Sequence, residues 1–301
     1  MQLTAQTEKA GSVTEIEYHA DDFGLFSAQS QRILDCHIGG KLNGVSVMPN
    51  SEALDASMAL LRPYRKEVSV SVHLNLIEGR SLCDHRDVPL LTDTAGIFHV
   101  SFGKILLHSV LPDRNAYKMQ IKQEFRAQIQ ALSPYLDKDV PLRLDGHAHY
   151  HMLPVAFDAL MEIIQEDQLN VGYIRIPREH PTLYLRHWRK LRKVPAINLV
   201  KVFILNLLAW RNHRKYQKYL DQLEQRLFLG VALSGHMHQD NVACILPDAI
   251  ALAGKQGQNL EILAHPGGVY EAEDIEKLTN PDDIAFLTSH AREKEVSLFS
   301  K

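Results

Sequence analysis

The sequence predicts an α/β protein of about seven mainly parallel strands, closed as a barrel or left as an open sheet, with a helical insertion. Three observations carry this expectation. Seven short runs rich in Val, Ile and Leu alternate with helix-length segments, the order that builds a parallel sheet as a barrel or an open layer. The residues suited to chemistry, Asp21, Asp22, His73, Asp145, His147 and His265, fall at or just after the C-terminal ends of those runs. In a β/α barrel these ends share one face, and active sites lie there. Finally, 301 residues with 45 % hydrophobic content suffice for one large α/β domain with a sizeable core.

The chain opens on a polar stretch, residues 1–15, with no apolar run of the kind a secretory signal needs. No segment reaches the ~20 apolar residues of a membrane span. Three scattered cysteines (Cys36, Cys83, Cys244) without CxxC spacing fit a reducing compartment and argue against a disulfide framework. The expected location is therefore the cytoplasm. A net charge of −3 gives no global signal for nucleic acid.

Residues 15–20 read as the first strand and run into Asp21-Asp22-Phe23-Gly24. Paired carboxylates at a strand end suit chemistry, although Asp-x-x-Gly is also turn chemistry. Neighbours in a strand face opposite ways, so one Asp could ligate a metal while the other serves as a base. Ser27 caps a helix to about Ile38, closed by Gly39-Gly40. A strand at 44–48 and a helix at 53–61 follow. Strand 68–74 alternates strictly and ends on His73, with Glu78 and Gly79 beyond it. Residues 80–113 read as a long loop over the site. Residues 116–132 form an amphipathic helix with Tyr117, Ile121, Phe125, Ile129 and Leu132 on one stripe.

The fourth strand delivers Asp145 and then His147-Ala148-His149-Tyr150-His151. If this run is extended, its three imidazoles share one face, and a row of imidazoles suits a metal. A helix at 155–166 and a strand at 171–177 come next. Arg175 in that strand suits either a carboxylate in the site or, more simply, a surface ion pair. Residues 227–232 and 260–264 are the last strands, helices are expected at 246–255 and 281–294, and His265-Pro266-Gly267-Gly268 follows the seventh strand.

Between His180 and Leu220 the character changes. This stretch holds ten Lys or Arg and no Asp or Glu, around an apolar run from Ala196 to Trp210. The simpler reading is a helical insertion packed on the barrel or on a second subunit. The alternative is peripheral contact with an anionic membrane, which basic flanks around an apolar helix suit. The domain organisation expected is thus a polar extension (1–15) and one barrel domain (16–301) carrying the insertion at about 180–220.

One carboxylate and two imidazoles converging on the strand ends would leave a metal with open positions for water and substrate. At this point Ala20-Asp21-Asp22-Phe23-Gly24-Leu25, Val72-His73-Leu74-Asn75-Leu76 with Glu78-Gly79, Asp145-Gly146-His147-Ala148-His149-Tyr150-His151 and Ala264-His265-Pro266-Gly267 together resemble the YdjC-like carbohydrate deacetylases. The likeness runs from about Ile16 to the C-terminus. It implies a distorted barrel that hydrolyses N-acetyl groups of amino sugars. It also implies Asp22, His73 and His147 as ligands of one divalent cation, with magnesium or zinc foremost, Asp21 as general base and His265 as general acid. Asp145, His149, His151, Arg175 and Glu78 are then expected in the second shell or the substrate pocket. Gly146 and Phe26 depart from the pattern, where many relatives carry Ser, and neither is a proposed ligand. The basic-apolar insertion resembles the hopanoid-associated glycolipid branch. Expected partners are an acetylated amino sugar, soluble or lipid-linked, the inner membrane face and a second copy of the chain, but no nucleic acid. Two other readings stay open. A two-metal phosphoesterase would use the extra histidines His149, His151, His236 and His238. A non-catalytic sugar- or lipid-binding protein would leave Asp21 without a task.

Overall fold

The computed structural model describes residues 15–191 and 194–301. The expected extension over residues 1–14, and Arg192 and Lys193 of the basic cluster, lie outside the described residues. Seven strands make one sheet in which every pairing is parallel. They are β1 (Ile16–Phe23), β2 (Gly44–Val47), β3 (Ser69–Leu74), β4 (Leu142–Gly146), β5 (Val171–Ile174), β6 (Arg226–Leu229) and β7 (Asn259–Ala264), in spatial order β5-β4-β3-β2-β1-β7-β6. The helices between and after them are α1 (Ser27–Ile38), α2 (Leu54–Leu61), α3 (Phe102–His108), α4 (Arg114–Leu132), α5 (Pro154–Glu166), α6 (Pro181–His187), α7 (Ala196–Leu220), α8 (Gln239–Gln256), α9 (Ala272–Ile275), α10 (Pro281–Leu287) and α11 (His290–Glu295).

The sheet curls into a barrel that the β-ladder leaves open between β5 and β6. Hydrogen bonds bridge the gap. Glu224 N donates to Gly172 O (2.9 Å). Near the C-terminal end the buried Glu179 carboxylate accepts from the backbone N–H groups of Gly230, Val231 and Ala232 (2.6, 2.7 and 2.9 Å). This side chain explains why β6 stops at Leu229 and not at the expected Ala232: Glu179 takes the donors that a neighbouring strand would have used.

The alternation of the strands is inverted relative to a simple sandwich. Their outer faces (Val45, Val47, Val70, Val72, Leu144) belong to the apolar core, while the barrel interior is polar. On β1 the period of two turns Glu17, His19 and Asp21 inward. Glu17 accepts from Arg143 (2.6 Å) and Arg226 (2.7 Å), and His19 bridges Glu17 and Ser46 at 2.7 Å each. Buried charge is costly unless it is paired, and Glu17, His19 and Asp21 each meet a partner in this interior.

Four local expectations need correction. Phe26, not Ser27, caps α1, and Ser30 Oγ instead accepts from Gly24 N (2.9 Å). The long loop at 80–113 contains α3, whose cap Ser101 accepts from Lys104 N (3.2 Å). Helix α8 begins at Gln239 and carries Pro247 in its interior. The single helix expected at 281–294 is two, because Ser289 starts α11 by accepting from Ala291 N (3.1 Å). Among the described residues no helix is long and apolar enough to cross a membrane.

Candidate metal centre

The site begins with a defect in β1. Between Ala20 and Phe23 the strand has one residue more than β2 has between Val45 and Val47, and Asp22 takes a positive φ of 65°. Aspartate tolerates this region better than a β-branched residue does. The bulge re-aims the side chains, so the two carboxylates do not face opposite ways as the strand pattern suggested. Asp21 Oδ2 and Asp22 Oδ1 both approach His73 Nε2, at 3.9 and 3.5 Å.

His73 closes β3, whose register sets it opposite Asp145 on β4. Its Nδ1 lies 2.7 Å from Asp145 Oδ1, and Ser46 Oγ donates to the other oxygen of Asp145. Nδ1–H held by a carboxylate leaves Nε2 free to ligate, the usual carboxylate–histidine–metal geometry. Nε2 is buried and has no hydrogen-bond partner. His147, at the end of β4, places Nδ1 2.9 Å from Asp22 Oδ1 and Nε2 3.0 Å from Asp283 Oδ2. One ligand atom from each of Asp22, His73 and His147 falls within 4.8 Å of the others.

Electrostatics support a cation here. Burial lowers the His73 pKa, but Asp21 and Asp145 outweigh it and raise it to about 9. Burial likewise opposes, and Asp283 and Asp22 impose, an upward shift at His147. Both imidazoles are pulled toward a positive state, and a divalent ion answers the same field. The orphaned Nε2 and this field fit a hard or borderline cation on one carboxylate and two imidazoles.

Two further triads converge, Glu17–His19–Glu261 and His19–Asp21–Asp145. Each already holds protein cations: Arg143 and Arg226 on Glu17, and Arg175 on Asp21, Asp145 and Glu261. Among the described residues His149, His151, His236 and His238 join none of the three groups.

The row of histidines is not extended. Residues His147–Met152 make a tight 3₁₀ turn with positive φ at Ala148 and His149 (45° and 60°). His147 stays in the site. His151 turns back beneath the strand, where its Nε2 donates to Arg175 O (2.8 Å) and burial holds its pKa down at about 4. His149 packs edge-on to Phe228 (5.9 Å), and burial with Arg175 keeps it neutral. Gly146 belongs to this arrangement, because a Cβ there would lie 2.8 Å from His151 Nδ1.

Arg175 is no surface residue. It is fully buried, grips both oxygens of Asp21 (2.8 and 3.0 Å), and reaches Glu261 (2.8 Å from Nε) and Asp145 (3.2 Å from Nη2). Burial pushes the Asp21 carboxyl up, but Arg175 and then His73 bring it to about 2, so it is charged at neutral pH. Burial also raises Asp22, and Arg292 and His147 outweigh that to hold it well below the usual carboxylate range. Arg292 donates to Asp22 Oδ2 and leaves Oδ1 facing the imidazoles.

Arg292 and Asp283 also face the candidate site, through Asp22 and His147, and the sequence marks neither. They belong to the C-terminal segment that covers the triad. Glu78 ties this segment down by accepting from Thr279 N (2.8 Å), Thr279 Oγ1 (3.0 Å) and Asn280 N (3.1 Å). Beside this tie lies a cleft of about 650 Å³, lined by Phe26, Asn50, Glu78, Arg80, Lys277 and Thr279 among others. Its wall does not include the triad. The connection runs through Glu78 and Thr279 to Asn280, whose Nδ2 donates to Asp283 (3.1 Å), the partner of His147. His265 follows β7, paired to β1 through Ala264 and Ala20. Its Nδ1 is buried without a hydrogen bond, 3.8 Å from Glu295 Oε2, and burial followed by Arg292 lowers its pKa to about 4.

A parallel β/α half-barrel with an Asp–His–His cluster at its strand C-termini, flanked by a locked carboxylate and a buried imidazole, defines a class: α/β proteins with a group able to hold a metal ion beneath a C-terminal cap. The YdjC-like protein family model matches residues 16–301, and the chain belongs to that family. A Xenopus laevis carbohydrate deacetylase is 23 % identical over 295 residues, covering 92 % of this chain and 88 % of that protein. A Danio rerio carbohydrate deacetylase is 27 % identical over 198 residues, 63 % of this chain and 60 % of the relative, which is less than two thirds of its length. A chitooligosaccharide deacetylase of Yersinia pestis (strain Pestoides F) is 30 % identical over 154 residues, 50 % of this chain and 56 % of that one. The fold is shared with an Enterococcus faecalis V583 crystal structure named for cellobiose-phosphate cleavage, at TM-score 0.58 and 17 % identity over 96 % of this chain and 97 % of that one.

Proposed function

We propose that the protein is a metal-dependent hydrolase that removes N-acetyl groups from an amino sugar, an N-acetylglucosamine-type oligosaccharide or glycolipid, and releases acetate. The observation that carries this reading is the convergence of Asp22, His73 and His147 beside an Asp21 carboxylate that Arg175 keeps charged. The names of the curated relatives support the reaction class. Asp22, His73 and His147 hold one divalent ion, magnesium or zinc, with Asp145 orienting His73. When bound, that ion acidifies water and polarises the acetamide carbonyl.

The remaining work falls to side chains of this chain. Asp21 accepts the proton of the attacking water, and Arg175 fixes the direction in which both of its oxygens point. His265 hands a proton to the departing amine. It is neutral at rest, so it first takes up a proton from solvent, and Glu295, Asp22 and Asp21 are the groups that favour its charged form. The cleft beside Glu78 seats the sugar, with Arg80 and Asn50 offering polar contacts. The C-terminal cap shields the triad from bulk solvent. The unpaired cysteines accord with work in the cytoplasm. The two-metal alternative is disfavoured because, among the described residues, His149, His151, His236 and His238 belong to none of the three groups that could hold a metal.

The test is acetate release from chito-oligosaccharides and from a lipid-linked N-acetylglucosamine, with metal-stripped and metal-reloaded protein, for the parent and for Asp21→Asn. Release that requires metal and falls by more than about tenfold in Asp21→Asn is expected. Release unaffected by stripping, or an Asp21→Asn rate within about tenfold of the parent, overturns the reading.

A further inference from the structure

Helix α7 has two apolar faces, and the fold uses one. Val202, Leu205, Leu208 and Ala209 are buried against the barrel. On the opposite side Val200, Phe203, Leu207 and Trp210 recur every three or four residues and therefore share a line along the helix. They are exposed by 51, 70, 55 and 58 %. Ten residues at 1.5 Å each make this stripe about 15 Å long. A contiguous apolar ridge of this kind on a chain that is otherwise well packed marks a contact surface.

The chemistry around the ridge selects its partner. No Asp or Glu occurs from His180 to Leu220. Arg211 and Lys215 are spent inward on the buried Asp158. Lys201, Arg214 and Lys218 are exposed, and among the described residues they pair with no carboxylate. The Arg214 guanidinium lies over the Trp210 ring at 5.5 Å, an apolar body and a charged head at one level. A second copy docking through the same patch would set these cations against their own images, because a two-fold interface is self-complementary. An anionic bilayer takes the apolar side chains into its acyl boundary and the cations at its headgroups.

We infer that the outward face of α7 is a docking surface for membranes rich in anionic phospholipid. Its placement bears on the site. Three asparagines tie α7 to the loops after β4, β5 and β6: Asn212 Nδ2 donates to Met152 O (2.9 Å), Asn206 Nδ2 to Glu179 O (2.9 Å), and Asn198 Nδ2 to Ser234 O (3.0 Å). The helix therefore runs along the rim that carries the triad, and a docked protein holds that rim beside the lipid surface. The docking surface stands on α7 alone and is independent of the reaction proposed for the triad.

The experiment uses the full chain with vesicles of phosphatidylcholine alone and of phosphatidylcholine with an equal part of phosphatidylglycerol. The chain has two tryptophans, so Trp188→Phe leaves Trp210 as the single emitter. Expected are co-sedimentation with the anionic vesicles only, a blue shift of Trp210 emission on binding, and release at high salt. Phe203→Glu with Leu207→Glu should abolish binding. Arg214→Gln and Lys218→Gln should each weaken it about fivefold, and as exposed polar changes they carry the test if the double variant fails to fold. Equal binding to both vesicle types, no binding to either, or an unshifted Trp210 overturns the inference. So does a dimer that Phe203→Glu with Leu207→Glu dissolves, which would assign the face to a second copy.

Discussion

Arg175→Met is the perturbation whose cost the structure specifies best. The guanidinium is fully buried and serves three carboxylates, Asp21, Asp145 and Glu261, none more than 2 % exposed. Removing one partner of a buried pair costs about 3–5 kcal/mol, because the charge left behind has neither water nor a counterion. Three acids share this partner, so the loss should be at or above about 4 kcal/mol, out of a total stability of roughly 5–15 kcal/mol. Arg175→Lys keeps the charge without the fork and should fall between.

The pH dependence of that loss is diagnostic. In the parent, Asp21 sits at about 2 against an ordinary 3.8, so its contribution is full above 3.8 and disappears as pH falls toward 2. Without Arg175, burial and the Asp145 charge are opposed only by His73 and His19, so the Asp21 pKa rises. The folded variant then takes up a proton more readily than the parent does. The gap between parent and variant should therefore be widest at neutral pH and narrow below about pH 4. Urea unfolding followed by circular dichroism at several pH values measures it. A variant within about 0.5 kcal/mol of the parent, the range of an ordinary surface change, would refute the assignment of Arg175 as the barrel's interior counterion.

Two further outcomes follow from contacts elsewhere. Asp145→Asn removes the charge that holds His73 Nδ1–H and should weaken metal affinity about 10- to 100-fold while the parent stoichiometry persists, as read by competition with a chromogenic chelator. Asp158 on α5 gathers Arg114, Arg211, Lys215 and Tyr216; burial raises its pKa, and these partners bring it to about 2. Asp158→Asn should cost about 1–2 kcal/mol at pH 7, reduced from the full linkage value because its cationic partners are partly exposed. The difference should vanish as pH falls from 3.8 toward 2, measured by the same urea titrations.

Much of the scaffold was legible because strands announce themselves by composition. Runs such as Val68–Leu74 and Leu260–Ala264 alternate or cluster β-branched and aliphatic residues, and the chemical residues at their ends follow from the topology. What escaped was geometry that depends on a partner. The bulge at Asp21-Asp22 is set by the register of β1 on β2, and no local pattern marks it. Arg175 looks like any basic residue in a strand until three distant acids are placed around it. An extended run would set His149 and His151 on the same face as His147, whereas a positive φ at Ala148 and His149 turns the chain. Asp283 and Arg292 carry no signal in a charged C-terminal segment. The signal that segment does carry is Ser289, a helix-start residue that divides it in two. Pro247 resembles a first-turn proline and hid the earlier start of α8. Glu179, which stitches the open edge of the barrel, could not be told from a surface acid.

Metal content per chain is the most direct measurement of the centre itself. Purified protein is stripped, equilibrated with zinc or with magnesium, and assayed for bound ion by mass spectrometry, alongside Asp22→Ala, His73→Ala and His147→Ala and a folded-state check on each. One ion per chain in the parent, and none in any of the three folded variants, is the predicted result. Two ions per chain, or an ion retained when any one of these side chains is removed, would contradict a single centre held by Asp22, His73 and His147.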